Sequence, residues 1–385
     1  MAGLKIGVVG ATGMVGREYL GVLKHSRLPI GSLRLFASRR SVGTRLPFRG
    51  ESLPVEEFTV ASCRGLDLTL FSVSAELARE HAPRVAAAGT LVIDDSSAFR
   101  LDPGVPLVVP EANPEDAAQH RGIIAGPNCS TTQMVVVLAP LHRAARLRRV
   151  VVDTYQAASG AGKAATDELI AHTRAILAGK RPVPEAHPHS SAFNLFPAID
   201  AFRDDGYTKE EWKMLAETRK IMHLPRLRLS ATCVRVPVPI GHSEALHVEL
   251  ERPMDPAEAR ALLAAAPGVE VVDDPVNGRY PQPIEAAGRD PVYVGRIRAD
   301  VSLPGGIALW VVADNLRKGA ALNAVQIAEL VLARPVGAGS PRPAKRASSG
   351  RGNRAPTDVP AGSRGHPLIR RRHSRYPIHQ EASNG

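Results

Sequence analysis

The sequence has few cysteines and no long apolar run, and each shortage excludes a class of protein. Only three cysteines occur in 385 residues, at Cys63, Cys129 and Cys233. Three widely spaced thiols predict neither a disulfide framework nor a zinc site. No apolar stretch reaches the roughly 20 residues that cross a bilayer, and residues 1–10 lack the layout of a signal peptide. We therefore predict a cytoplasmic protein without a membrane anchor.

The positive charge of the chain is concentrated near its end. The formal net charge is +11. Ten basic and only two acidic residues follow Pro335, so this stretch carries +8 and the rest of the chain +3. Its proline, glycine, serine and arginine predict a disordered basic tail over residues 335–385. A solubilising extension is the expected role, and we do not favour the alternative of nucleic-acid binding.

A glycine-rich turn lies between a strand and a helix at the start of the chain. Residues 5–10 read as a short buried strand, and residues 17–24 as a helix. The sequence GATGMVG at 10–16 joins them. In such a turn the backbone approaches a pyrophosphate closely, and the helix N-terminus supplies N–H groups. The turn predicts a dinucleotide site, with an unliganded glycine turn as the alternative.

The residues after the second strand favour NADP over NAD. An acidic residue at the end of that strand, residues 33–37, would bind a ribose 2′-hydroxyl. The sequence instead has Ser38-Arg39-Arg40-Ser41. Guanidinium and hydroxyl groups suit a 2′-phosphate. The alternative is a solvated basic loop.

The order of predicted elements indicates two α/β domains. Strands at 66–73, 90–93 and 107–111 alternate with a helix at 75–88, as in a Rossmann-type doubly wound parallel sheet. Later strands at 149–154, 229–236, 245–250, 292–299 and 307–313 predict an α+β domain with its own sheet. We predict domains at 1–127 and 128–315, and a last helix, 316–334, that packs back on the first domain.

Cys129 lies in the segment GPNCST at 126–131, where turn residues give way to a helix. The partial positive charge of a helix N-terminus favours a thiolate, which is the nucleophilic form. The alternative is a small buried apolar residue.

Other polar residues stand at strand ends or inside apolar elements. Arg100 follows a strand end, where it would meet an anionic substrate or simply lie on the surface. Glu210 and Lys213 share one face of a helix at 208–222, a spacing also typical of a helix-stabilising pair.

His187 and His189 lie in a proline-rich loop whose spacing fits no metal site, and we predict no metal. The remaining candidates are Gln156, which ends a strand, Arg235, a charge inside an apolar strand, and His242 in a Gly-Ser-flanked turn.

Six motifs in this order resemble the bacterial, NADP-dependent type of aspartate-β-semialdehyde dehydrogenase. The resemblance covers about residues 3–334, and the tail has no counterpart. The motifs are GATGMVG (10–16), GPNCST (126–131), QAASG (156–160), EEWK (210–213), RVPVPIGH (235–242) and DNLRKG (314–319).

The resemblance implies a role for each matching position. Cys129 would form an acyl-thioester, His242 would act as general acid/base, and Gln156 would orient the substrate. Arg235 would bind the α-carboxylate and Glu210 the α-amino group. Arg100, Asn128 and Lys213 would bind the phosphate. The glycine turn, the basic segment and the resemblance together predict cofactor contacts at Gly10, Thr12, Gly13, Met14, Val15, Arg39, Arg40, Ser41, Ser159, Gly160 and Asn315.

The reaction implied is reduction of L-aspartyl-4-phosphate by NADPH to L-aspartate 4-semialdehyde, in lysine, threonine and methionine synthesis. The family also implies a homodimer built on a catalytic and dimerisation domain. One rival is a reductase of a longer acyl phosphate such as N-acetylglutamyl phosphate; Glu210, suited to a free amine, argues against it. The other is a cysteine hydrolase or a nucleotide sensor without catalysis. A hydrolase leaves the glycine turn unexplained, and no motif residue is missing.

Overall fold

The computed structural model describes residues 3–332, and the predicted tail at 335–385 lies outside them. The strands are β1 Leu4–Val9, β2 Ile30–Ala37, β3 Arg45–Phe48, β4 Glu51–Glu57, β5 Leu68–Phe71, β6 Leu91–Asp94, β7 Ile123–Ala125, β8 Leu147–Gln156, β9 Arg228–Arg235, β10 His242–Leu250, β11 Val269–Val271, β12 Val292–Ala299 and β13 Ile307–Ala313. The α-helices are α1 Met14–His25, α2 Ala75–Ala87, α3 Cys129–Ala145, α4 Lys163–Leu177, α5 Lys209–Ile221, α6 Pro256–Ala264, α7 Pro283–Ala286 and α8 Leu322–Leu332.

The first sheet has the order β3-β4-β2-β1-β5-β6-β7. All neighbours pair in parallel except the edge strands β3 and β4. Every residue of β5 and β6 is buried, because helices cover both faces of such a sheet. The prediction of a doubly wound parallel sheet is confirmed.

One local prediction in this region is wrong, and one pair of strands was not predicted. Residues 107–111 form no strand but a single bridge from Leu107 to Ala125. Pro106 and Pro110 flank this bridge, and proline has no N–H to give to a ladder. The β3–β4 hairpin is absent from the prediction because its strands are short, polar and interrupted by Pro47 and Pro54.

The second sheet has the order β11-β12-β13-β10-β8-β9 and is mixed. Strand β10 runs antiparallel to both β8 and β13, whereas β8 and β9 are parallel. Consequently the carboxyl ends of β8, β9 and β13 and the amino end of β10 meet at one edge of the sheet.

Helix α3 lies between the two sheets. It is apolar on almost every side, as a fully enclosed helix must be, and 13 of its 17 residues are buried. Its side chains share one core with Val92 and Ala125 of the first sheet and with Leu246 and Leu309 of the second. The N-terminus of α3, with Cys129, therefore opens at the junction of the two sheets.

The chain returns to the first sheet at its end. A π-helical turn, Arg317–Ala321, precedes α8 and replaces the first turn of the predicted helix. Ala324, Ile327 and Ala328 of α8 share a core with Ile6 and Ile93 of the first sheet. Among the described residues, no helix has the length and apolar character needed to span a membrane.

Candidate active site

The shared edge of the second sheet gathers several predicted site residues. Gln156 ends β8 and Arg235 ends β9, where the two are paired in register. His242 is the first residue of β10 rather than part of a turn, and it pairs with Ala313 at the end of β13. Asn315 follows two residues later. Strand pairing alone therefore brings these side chains to one place from positions up to 159 residues apart in the chain.

Cys129 is the first residue of α3, and Asn128 caps the helix. The Asn128 side-chain oxygen accepts hydrogen bonds from the N–H groups of Ser130 (3.0 Å) and Thr131 (3.3 Å). Cys129 is half-buried and lines a cleft of about 350 Å³. The cleft reaches from Val15 at the glycine turn to Arg235 at the second sheet, so Cys129, the glycine turn and the cationic residues Arg100, Lys213 and Arg235 share one space.

The resting state of the Cys129 sulfur differs from the expectation of a thiolate. Burial raises the pKa of Cys129 to about 12, and the charge of Glu210 acts in the same direction. Arg100, Arg235 and the backbone at Ser130 lower the pKa, but by less. Cys129 is therefore a thiol in this structure, and a proton must leave it before or during attack.

His242 is completely buried and neutral. Burial, followed by the charge of Arg235, lowers the pKa of His242 well below its usual range. Its Nδ1 accepts the N–H of Ala157 at 3.0 Å, which assigns the ring proton to Nε2. That Nε2–H has no partner within residues 3–332, so a proton donor stands ready for an incoming oxygen or sulfur.

Gly160 lies directly over this histidine. A Cβ at Gly160 would lie 3.1 Å from Nε2 of His242 and 3.0 Å from Nη1 of Arg235. Any side chain at position 160 would press on both groups. Only glycine at this position leaves the His242 imidazole accessible on the side of the loop at 158–161.

Helix α5 contributes a buried carboxylate, Glu210, next to Cys129. Oε1 of Glu210 accepts from the side-chain amides of Asn128 (2.8 Å) and Gln156 (3.3 Å), and Oε2 accepts from Lys213 (2.9 Å). Burial alone would raise the pKa of Glu210, but Lys213 and the amides outweigh it and the pKa is lowered. Lys213 also contacts Asp200 at 3.0 Å. Glu210 is thus a fixed negative charge.

Arg100 is buried and held on three sides. Its guanidinium donates to the carbonyls of Gly126 (2.9 Å) and Asp95 (2.7 Å) and to Glu217 Oε1 (3.1 Å). The other oxygen of Glu217 accepts the backbone N–H of Asn128 at 2.6 Å. The sequence interpretation missed Glu217, although its place seven residues after Glu210 puts both on one face of α5.

Arg235 retains unused donors. Its Nη1 donates to the carbonyl of Ala157 at 2.6 Å, while its buried Nε has no partner within the described chain. Burial lowers the pKa of Arg235, and the nearby Cys129 and Glu210 oppose that change. An unpaired buried guanidinium N–H is costly unless a ligand satisfies it, so this group fits an incoming carboxylate.

The glycine turn has the close packing that a dinucleotide site needs. Gly10 has φ +87°, and a Cβ there would collide with the carbonyl of Ser72. Gly16 faces the carbonyl of Gly10 with no room for a side chain. Gly13 caps α1, and Met14 and Val15 form its first turn. The backbone is therefore free to approach a phosphate at this helix N-terminus.

The basic segment predicted for the 2′-phosphate lies next to this turn. Arg39, Arg40 and Ser41 form a 3₁₀ turn after β2, with both arginines exposed. The Ser41 hydroxyl is 3.4 Å from that of Thr12 in the glycine turn. The structure thus brings the two predicted halves of a cofactor site together.

Asn315 holds the second loop near the cleft. Its side-chain oxygen accepts from the Ser159 hydroxyl (3.0 Å) and from the backbone N–H of Gly241 (2.9 Å). The latter group precedes His242. Asn315 therefore fixes the predicted cofactor contacts Ser159 and Gly160 relative to the histidine.

Gly319 is a neighbour of Cys129 that, like Glu217, was not predicted from the sequence. A Cβ there would lie 2.8 Å from the Cβ of Cys129. The π-helical turn thus packs its backbone against Cys129. Such turns are frequent at functional sites, but a single sequence gives no signal for this one.

Two family models match the chain. The model described as semialdehyde dehydrogenase, NAD binding domain, matches residues 5–120. The model described as semialdehyde dehydrogenase, dimerisation domain, matches residues 138–318. An NAD(P)-binding domain and a dimerisation domain are therefore present.

Relatives with known names match over nearly their whole length. An aspartate-semialdehyde dehydrogenase from Aquifex aeolicus is 53% identical over 334 residues, which are 86% of this chain and 98% of that protein. A crystal structure of aspartate semialdehyde dehydrogenase II from Vibrio cholerae, complexed with ASA, matches with a TM-score of 0.83 and 45% identity, over 86% of this chain and 99% of that one. An aspartate semialdehyde dehydrogenase from Candida albicans, solved with NADP, matches with a TM-score of 0.66 and 25% identity, over 85% and 98%.

Proposed function

The chain belongs to the aspartate-semialdehyde dehydrogenase family, and on that premise we propose that it reduces L-aspartyl-4-phosphate to L-aspartate 4-semialdehyde and phosphate. The reaction would serve lysine, threonine and methionine synthesis. The observation that carries the proposal is the position of Cys129, at the junction of the cofactor turn and a cleft lined by Arg100, Lys213 and Arg235. A cysteine hydrolase would not need the glycine-rich turn.

The acyl group is carried on sulfur. Cys129 attacks the acyl carbon, the C–S bond forms, the C–O bond to phosphate breaks, and the thiol proton leaves with the phosphate. This divides one difficult reduction into two easier steps. When bound, the nicotinamide cofactor supplies a hydride to the acyl carbon. The C–S bond then breaks, the aldehyde leaves, and the sulfur takes up a proton.

His242 serves the tetrahedral stages as a hydrogen-bond donor. Its Nε2–H donates a hydrogen bond to the oxygen that becomes negative when the acyl carbon is attacked, and the ring keeps this proton as the carbonyl reforms. Because burial keeps the imidazole neutral, the ring begins each cycle in the donor form set by Ala157 N–H.

Fixed charges orient the substrate. We assign the α-carboxylate to Arg235, whose Nε has no partner among residues 3–332, and the α-ammonium group to Glu210, whose pKa is lowered. We assign the phosphate to Arg100, Lys213 and Asn128. Three contacts leave two of the five guanidinium N–H groups of Arg100 for a ligand. Gln156, held by Glu210, would orient the acyl group.

We propose NADP as the cofactor and a homodimer as the assembly, and the cytoplasmic location stays a prediction. NADP is supported by Arg39 and Arg40, by the absence of an acid at the end of β2, and by the NADP found with the Candida albicans relative. The cofactor contacts are those predicted at the glycine turn, Ser41, Ser159, Gly160 and Asn315. The dimer is supported by the matched dimerisation domain.

A direct assay tests this assignment. Aspartate semialdehyde, phosphate and NADP are mixed with the wild type or Cys129→Ser, and formation of reduced cofactor is followed by absorbance. We expect turnover by the wild type only, and a higher kcat/KM with NADP than with NAD. Turnover of N-acetylglutamate semialdehyde instead would favour the longer-substrate rival. Undiminished activity of Cys129→Ser would refute the role of the thiol.

A further inference from the structure

We propose that the hydrogen bond from the Tyr19 hydroxyl to the Asp95 carboxylate is a positioning contact that couples the cofactor-binding turn to the loop carrying Cys129. Neither residue was among the predicted site residues. The inference rests on the proposed cofactor and nucleophile and adds a route by which binding of the one changes the reactivity of the other.

Tyr19 belongs to the helix that begins at the glycine turn. It lies three residues after Gly16 on α1 and is completely buried. Its hydroxyl donates to Oδ2 of Asp95. A buried phenol hydroxyl needs a partner, and this one crosses from α1 to the segment that follows β6. A displacement of α1 is therefore transmitted to Asp95.

Asp95 in turn contacts the loop before the nucleophile. A Cβ at Gly126 would lie 2.7 Å from Oδ1 of Asp95, so the carboxylate rests on the Gly126 backbone. The Asp95 carbonyl accepts from Arg100 at 2.7 Å, and Arg100 also donates to the Gly126 carbonyl at 2.9 Å. Gly126 is three residues from Cys129, and only Pro127 and Asn128 intervene. Movement of Asp95 thus reaches the nucleophile through backbone contacts.

Asp95 also lines the cleft shared with Cys129 and Val15, which a purely internal packing residue would not do. Burial raises the pKa of Asp95 to about 7. Of the groups facing it, Tyr19 and Arg100 lower this pKa and Asp94 raises it. The contact is therefore made by a carboxyl group that changes charge near neutral pH.

The test measures Cys129 reactivity with and without NADP. The alkylation rate of Cys129 by iodoacetamide is determined at zero and at saturating NADP, for the wild type, Tyr19→Phe and Tyr207→Phe. The last is a matched control, because Tyr207 is exposed and its hydroxyl pairs, within the described residues, with half-buried Ser230 at 3.2 Å. We expect NADP to change the rate in the wild type and in the control, and Tyr19→Phe to lose most of that change although it still binds NADP.

Turnover gives a second readout. Because misplacing a reacting group by about 1 Å costs up to a hundredfold, we expect kcat of Tyr19→Phe to fall by about tenfold or more. Asp95→Asn keeps an acceptor oxygen for Tyr19 and should stay near the wild type at acidic pH. A merely structural contact would instead lower the folded fraction and leave the kcat of the folded enzyme unchanged.

Several results would overturn the proposal. An NADP-induced change in alkylation that is the same in Tyr19→Phe and the wild type would indicate direct shielding by the cofactor. A wild type indifferent to saturating NADP would refute the coupling, whether or not turnover is detected. Should Tyr19→Phe fail to fold, Asp95→Ala breaks the contact from the other side, and a wild-type response in that variant would equally refute it.

Discussion

At the scale of single residues, the environment of Cys129 decides its chemistry. The local sequence places the thiol at a helix N-terminus, which favours the thiolate. Enclosure between two sheets acts the other way and raises the pKa of Cys129 to about 12. Burial has the larger effect on this pKa, and a short sequence motif does not show how deeply a residue is buried. The sulfur therefore depends on ligands and proton acceptors that arrive with the substrate.

Gly319 supplies a test of how closely the nucleophile is positioned. Gly319→Ala would place a methyl group 2.8 Å from the Cβ of Cys129, and the backbone of the π-helical turn or of α3 must then shift. We expect kcat to fall by about tenfold to a hundredfold. Gly104→Ala is the control, because an added Cβ there would lie more than 4 Å from every described residue other than its chain neighbours. Equal activity of the two variants would mean that the contact is not needed.

The raised pKa of Asp95 predicts how the stability of the folded protein depends on pH. Its pKa is raised by burial from 3.8 to about 7 in the folded protein. A raised pKa contributes stability that is complete below the unfolded pKa and is lost as pH rises through the folded value. The loss is on the order of 4 kcal/mol. Asp95→Asn should therefore lose less in Tm than the wild type between pH 4 and pH 8. Parallel Tm profiles would contradict the assignment.

At the scale of elements, the sequence predicted those with strong periodicity and missed contacts between distant segments. Strands β12 and β13 lie at the predicted residues, because β13 is an apolar run with clear ends and the end of β12 alternates apolar and polar residues. Residues 107–111 have the same apolar character, but prolines prevent a ladder. Gln156, Arg235 and His242 were predictable because they stand at or near strand ends. Glu217 was not, because its partner Asn128 is 89 residues away.

Glu217, on the inner face of α5, is expected to hold Arg100 in place for phosphate binding. Glu217→Gln removes the negative charge that pairs with buried Arg100 at 3.1 Å. Breaking a buried pair costs about 3 kcal/mol or more, so Tm should fall and the KM for phosphate should rise. Glu258→Gln, at an exposed ion pair with Arg252, should change Tm little. If Tm and the KM for phosphate of Glu217→Gln matched those of this control, Glu217 would have no part in the site.

At the scale of the whole molecule, the site exists because two sheets share α3. The first sheet brings the glycine turn, the second brings Gln156, Arg235 and His242, and the shared helix brings Cys129. The return of α8 to the first sheet is anchored by buried Lys318, which contacts Glu111 at 2.6 Å. This ion pair spans 207 residues of sequence and holds the π-helical turn beside Cys129.

The basic segment after the described residues should not affect catalysis. All predicted site residues lie within residues 3–332, so truncation after Ala333 should leave kcat and KM unchanged within about twofold. The measurement is a comparison of both constants for the full and the shortened chain. A clear change in either constant would assign the segment a part in turnover.

Intact-protein mass spectrometry tests, without the cofactor, whether Cys129 carries the substrate acyl group. The enzyme is mixed with L-aspartyl-4-phosphate, quenched in acid within the turnover time, and weighed. We predict a mass increase equal to one aspartyl group, located on Cys129 by peptide mapping and absent from Cys129→Ser. An unmodified Cys129 under these conditions, or an adduct that persists in the serine variant, would contradict this role of Cys129.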